Sequence, residues 1–439
     1  MDWSRGRAIG PLRPGAAKPP NGEGERRTAQ RFGDQPESEG NRREELVQSE
    51  RDKEEVSMLI VNGVIHTMEM GTIPDGFVLV KGSCIAQVGP MSDLPQDADL
   101  TGLIDARGGH VLPGFIDAHC HMGLYGTSAP ENDLNEMPSP CTPHIRALDG
   151  VDPRSLYFED ARRAGVTCVL TGPGSANPIA GQSVLLKTAG TVIDRMVVRV
   201  PAAMKFALGE NPKRVHKEHS PATRMASAAL IRDKLAQALD YDLKRTRAQA
   251  GSDSEGPGFD AQLEALRPVV TGRLPAHFHA HRADDIATAL RISREFGLDC
   301  VIVHGTEGHL IADFLAEAGV PVITGPILND RSKPELANRS METTAILAKA
   351  GVQVAVCTDH PENPIQLLPF CAAMAARYGM DDEDALAAIT VNAACICGVG
   401  DRLGSLTPGK DADIVIMDGH PFHWRSRAVH VLIDGQEVI

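Results

Sequence analysis

From Met58 onward the chain alternates between short apolar runs of strand length and longer runs with helical spacing, punctuated by Gly, Pro and Asp. Four strand-like runs come first (58–64, 76–80, 84–88 and 109–112), and two close the chain (414–417 and 429–433). Between them eight apolar runs read as strands: 115–121, 166–171, 182–188, 200–207, 275–281, 300–304, 321–325 and 352–358. Amphipathic runs such as 284–296 and 311–318 separate several of these. Such alternation predicts a parallel α/β structure, and eight is the strand number of a closed (β/α)8 barrel.

Two stretches break the pattern. Residues 1–55 are rich in Gly, Pro, Arg, Glu and Gln and almost free of aliphatic side chains. Such a segment cannot bury enough surface to offset chain entropy, so a disordered N-terminal tail is expected. The stretch 222–272 holds a helical run and then a polar Gly/Ser/Asp/Pro segment, 249–258. It reads as an excursion after the fourth central strand, either a cover for the barrel mouth or a solvated insertion.

At 439 residues with a formal net charge of -14, the chain lacks the basic surplus that nucleic acid or an anionic membrane surface would demand. A small-molecule substrate is the expected partner. The nine cysteines have neither disulfide-framework nor zinc-ribbon spacing, and Cys168, Cys300 and Cys357 lie inside apolar runs. Buried thiols in a reducing cytoplasm fit that usage. No apolar run has the length of a membrane span, and no apolar stretch follows the first arginines as in an export signal.

The chemistry collects at strand ends. Pro113-Gly114-Phe115-Ile116-Asp117-Ala118-His119-Cys120-His121 finishes the first central strand with two histidines two residues apart, which share one side of a strand and can reach one metal ion. Lys205 lies in the apolar fourth strand, where an unpaired ammonium is costly and needs a special reason. His277, His279 and His281 alternate along the fifth and so point to one side, the barrel interior. His304 ends the sixth and Asp359 follows the eighth. Lys187, ending the third, rivals Lys205. The Gly-rich segment Thr171-Gly172-Pro173-Gly174-Ser175-Ala176-Asn177-Pro178 lacks a P-loop ending and reads as a strand-to-helix connection.

Together with Gly404-Ser405-Leu406-Thr407-Pro408-Gly409-Lys410-Asp411-Ala412-Asp413, these motifs resemble the amidohydrolase superfamily of metal-dependent hydrolases, in its imidazolonepropionase- and prolidase-like branch, over residues 57–439. The resemblance implies a (β/α)8 barrel over 113–403 with a metal site at its C-terminal mouth. It also implies a small β-sandwich built from 56–112 plus 404–439. The metal ligands would be His119, His121, Lys205, His279, His304 and Asp359, holding one or two divalent ions, zinc foremost, with Lys205 or Lys187 carboxylated by CO2 to a bridging carbamate. Asp359 would serve as general base and then acid, and His281 would contact substrate or steady an oxyanion. Asn211, Arg214, Arg282, His309 and His360 are the expected substrate contacts, and His277 a deeper core or supporting group. Hydrolysis of a C–N bond in a cyclic amide, an acylated amino acid or a dipeptide is the implied reaction, in a homo-oligomer. The alternatives are a single-metal imidazolonepropionase-like hydrolase or deaminase, and a barrel scaffold without catalysis.

Overall fold

The computed structural model describes residues 57–96, 102–126, 132–250 and 256–439, so the tail expected at 1–55 lies outside them. The two ends of the chain meet in one mixed sheet. Ser57–His66, Thr72–Lys81 and Cys84–Pro90 form an antiparallel meander, and Gly102–Asp105 and His110–Pro113 each run parallel to the first of these. Ile414–Met417 then pairs antiparallel with His110–Pro113, and Ala428–Ile433 and Gln436–Glu437 extend the edge. Alternate apolar residues, among them Ile60, Val78, Val80, Ile414, Ile416 and Leu432, turn to one face and close over a buried cluster.

The central sheet has eight strands in sequence order: Phe115–Cys120 (β1), Val166–Thr171 (β2), Ile179–Lys187 (β3), Val197–Ala207 (β4), Ala276–Ala280 (β5), Cys300–His304 (β6), Val322–Thr324 (β7) and Val354–Val356 (β8). Backbone bonds from Asp359 N to His119 O (3.2 Å) and from His121 N to His360 O (2.8 Å) join the end of β8 to the end of β1. The result is a barrel of the (β/α)8 type beside a separate β-sheet. Its helices present apolar stripes inward: in Ala283–Phe296 the buried residues Ile286, Ala289, Leu290 and Ser293 follow helical spacing, and Gly297, at φ 64°, ends the helix.

One strand departs from the parallel expectation. β3 is antiparallel to both β2 and β4. The connection from β2 is only residues 172–178, too short for a crossover helix, so the chain turns back on itself. The Gly-rich segment is therefore a strand-to-strand turn at the mouth, not a strand-to-helix connection. The same reversal puts Lys187 at the opposite end of the barrel, paired in register with Cys168 at the start of β2. There its ammonium meets Asp413 at 2.6 Å and Asp411 and Asp434 at 3.2 Å each. Lys187 is a buried tie between barrel and C-terminal segment, which removes it as a rival to Lys205.

The excursion after β4 resolves into Arg224–Gln249, capped by the Thr223 hydroxyl, and Ala261–Val270, capped by Asp260. Ile231, Leu235 and Ala238 bury a stripe of the long helix, and no described residue of 222–272 lines the mouth cavity. These helices clad the barrel wall. No helix among the described residues is long and apolar enough to cross a membrane.

Candidate active site

Of the side chains singled out on the central strands, all but Lys187 and the deeper His277 arrive at the mouth, because they sit near, at or just past strand ends. They form two buried triads, His119/His121/Asp359 and His279/His281/His304, the ligand atoms of each lying within 4.8 Å of one another. The rings of His119 and His304 are 5.5 Å apart, so the triads adjoin. Asp359 Oδ1 is 3.3 Å from Nε2 of both His119 and His121. Lys205 Nζ stands 3.0 Å from His119 Nε2.

Backbone carbonyls orient two of the imidazoles. His121 Nδ1 donates to Gly172 O and His304 Nδ1 to Gly325 O, each at 2.7 Å, which turns Nε2 of both rings toward the site. His281 Nδ1 is 2.7 Å from the Thr306 hydroxyl. His304 (φ 75°) and Asp359 (φ 53°) both hold left-handed backbone, a conformation costing about 1–3 kcal/mol per non-glycine residue that clusters where function over-determines geometry.

Burial sets the protonation states. It drives His119 and His281 well below the usual imidazole range, with help from Lys205 and His304 respectively, and it takes His304 to about 4. Burial also lowers Lys205 to about 8, against the pull of Asp359. Asp359 stays well below the usual carboxylate range in spite of burial, held there by His304 and by the bonds from His119 and His121. Beneath it lies Asp117, raised by burial to about 7, which accepts from Thr358 and from the His119 amide and so fixes the β1–β8 seam.

A divalent cation fits this donor set. Nε2 of His121 faces a carboxylate oxygen, and Nε2 of His279 is buried with no hydrogen-bond partner among the described residues. Neutral imidazoles with one ring nitrogen held by a carbonyl and the other free are the usual ligand form.

The triads open into a cavity of about 440 Å³. Asn211 and Arg214 line it, with Asn211 Nδ2 donating to Ser175 Oγ at 2.8 Å. Three other expected substrate contacts are elsewhere. Arg282 is held outward by Asp284 at 2.9 Å, and His309 bonds the Thr343 hydroxyl at 2.9 Å in the loop behind β6. His360 turns against Tyr157, ring centroids 4.3 Å apart. His277 is buried one layer beneath His279, its Nε2 without a hydrogen-bond partner among the described residues. Sequence reasoning missed Lys333, Glu335 and Arg339 in the loop after β7, as well as Gly172, Gly325 and Asp117. The two glycines were findable as the first glycine after a strand end; the loop residues carry no periodic signal.

Residues 110–438 match the model of the Amidohydrolase family. The amidohydrolase tasK of Hapsidospora irregularis is 30% identical over 82% of this chain, which spans 39% of that protein's length. An imidazolonepropionase of Solibacter usitatus is 26% identical, covering 79% of this chain and 85% of its own. Among solved structures, an amidohydrolase from Thermotoga maritima is 42% identical with a TM-score of 0.83, covering 87% of this chain and 99% of its own.

Proposed function

The chain belongs to the amidohydrolase family, and from that premise we propose that it is a divalent-metal hydrolase of a C–N bond in a small amide, either a cyclic amide or an acylated amino acid. The observation that carries this reading is the pair of adjoining buried triads at the cavity, with Lys205 Nζ 3.0 Å from His119 Nε2. His119, His121, His279, His304 and Asp359 would hold the metal, with Lys205 as a carbamate bridge if two ions bind. The bound metal supplies Lewis acidity, lowering the pKa of a water and polarising the amide carbonyl.

The chain's own residues do the rest. Asp359 carries an ionised carboxylate at the reacting face, able to take a proton from the attacking water and return it to the leaving amine. His281, held by Thr306, turns Nε2 toward the site to receive the developing oxyanion. Burial of Lys205 favours the neutral amine that reacts with CO2.

The test is hydrolysis of a panel of cyclic amides, N-acyl amino acids and dipeptides by metal-replete protein, by chelator-stripped protein, and by the Asp359→Asn variant. Turnover abolished by stripping, restored by metal, and reduced by about a thousandfold in the variant is the expected pattern. Turnover indifferent to chelation would refute the reading.

A further inference from the structure

The loop after β7 brings charges to the cavity that the hydrolytic reading leaves without a task. Arg339 is committed to the loop itself, donating to the Ile327 carbonyl and lying 3.2 Å from Met341 Sδ. Arg214 is exposed at the rim, 3.4 Å from Asn211 Oδ1. Lys333 stands apart from both. Its ammonium is 2.7 Å from Glu335 Oε1, and that same oxygen is 3.6 Å from His281 Nε2, so one carboxylate oxygen separates the cation from the second triad.

Glu335 has little freedom. It is 3% exposed, and its Oε2 accepts from the Glu210 backbone amide at 3.0 Å. Gly209 leaves the room for this: a Cβ there would come within 2.8 Å of Glu335 Oε2. A carboxylate fixed at one oxygen by the backbone holds the ammonium at the other, and Lys333 is among the residues that line the cavity.

We propose that Lys333, positioned by Glu335, seats a substrate carboxylate directly beside the scissile bond, so that this site selects amides whose departing amine carries an α-carboxylate. In such a substrate only the nitrogen and one carbon lie between the scissile carbonyl and the carboxylate, which suits a cation one oxygen away from His281. An anion on a longer arm, as on a ring side chain, would fall toward the rim and Arg214. The inference rests on the hydrolase reading and narrows it: of the two substrate kinds left open there, it selects the acylated amino acid.

The test uses the full-length, metal-replete chain and a matched pair of tetrahedral probes, N-(methylphosphonyl)-L-leucine and its C-terminal carboxamide, with binding followed by calorimetry and metal content by elemental analysis. The parent is expected to bind the carboxylate probe about tenfold or more tighter than the carboxamide. Lys333→Met should erase that ratio without changing metal content, Lys333→Arg should restore part of it, and Glu335→Gln should shrink it while carboxamide binding holds. A ratio near unity in the parent, or one that survives Lys333→Met, overturns the proposal and leaves the hydrolase reading standing. Failure of both probes to bind metal-replete protein overturns the proposal as well, while the hydrolase reading stands or falls by its chelation test.

Discussion

Two lysines, both buried in apolar strands, have opposite tasks, and the difference lies in which end of the barrel each one reaches. Lys187 faces Asp411, Asp413 and Asp434, which hold its ammonium protonated in spite of burial. Replacing it with Met strands those carboxylates, so Lys187→Met is expected to cost about 3–5 kcal/mol in denaturant unfolding while leaving metal content unchanged. A second residue-scale prediction concerns His66 and His110, which share a contact of 2.8 Å and are both depressed to about 4, by burial foremost. The unfolded chain takes up protons from about 6.5 downward while the folded pair refuses them until about 4. Stability from this pair is therefore complete above pH 6.5 and is lost as pH falls toward 4. A His66→Gln/His110→Gln variant should show a shallower loss over that window in urea titrations; an unchanged slope would contradict the assignment. What was legible at this scale followed strand periodicity. His119, His121, Lys205, His279, His304 and Asp359 lie at or near the ends of apolar runs, whereas Lys333 and Glu335 sit in a loop where no period announces a neighbour.

The strands act on the site through their ends, and two of those ends are glycines. The carbonyls of Gly172 and Gly325 fix the rings of His121 and His304, and neither position tolerates a side chain. A Cβ on Gly172 would collide with the Ser183 hydroxyl, and one on Gly325, at φ 140°, with the Cys357 carbonyl. Gly172→Ala and Gly325→Ala are each expected to weaken metal binding by about 10–100-fold, measured against a competing chelator, in chains that keep native secondary structure by circular dichroism. Metal affinity equal to the parent's would show that these carbonyls do not orient the ligands. Element existence was readable along the whole barrel, but element direction was not. The eight-strand pattern with its strand-to-helix connection predicts a parallel β3, and the strand runs antiparallel because residues 172–178 are too few for a crossover helix. Strands Gly102–Asp105 and Gln436–Glu437 escaped notice because they are too short to show a period.

For the whole molecule, the two chain ends and the barrel depend on one another. His110–Pro113 lies between Ser57–His66 and Ile414–Met417, and the carboxylates that neutralise Lys187 come from the C-terminal segment. Truncation after residue 404 is expected to yield insoluble or unfolded protein, since it bares a sheet edge and leaves Lys187 buried without a counter-charge; a soluble, cooperatively folding truncated chain would contradict this. Hydrophobic periodicity says where strands are and cannot say which of them pair across hundreds of residues, so the joining of the ends was available only through family resemblance. The central claim is that the mouth of the barrel is a divalent-metal site, and elemental analysis of full-length protein purified without added metal or chelator tests it most directly, with Lys205→Ala and His279→Ala alongside. About one to two divalent ions per chain, falling in both variants while each stays folded, is the result this account requires. A folded parent without divalent metal, or with metal content that neither substitution changes, would contradict it.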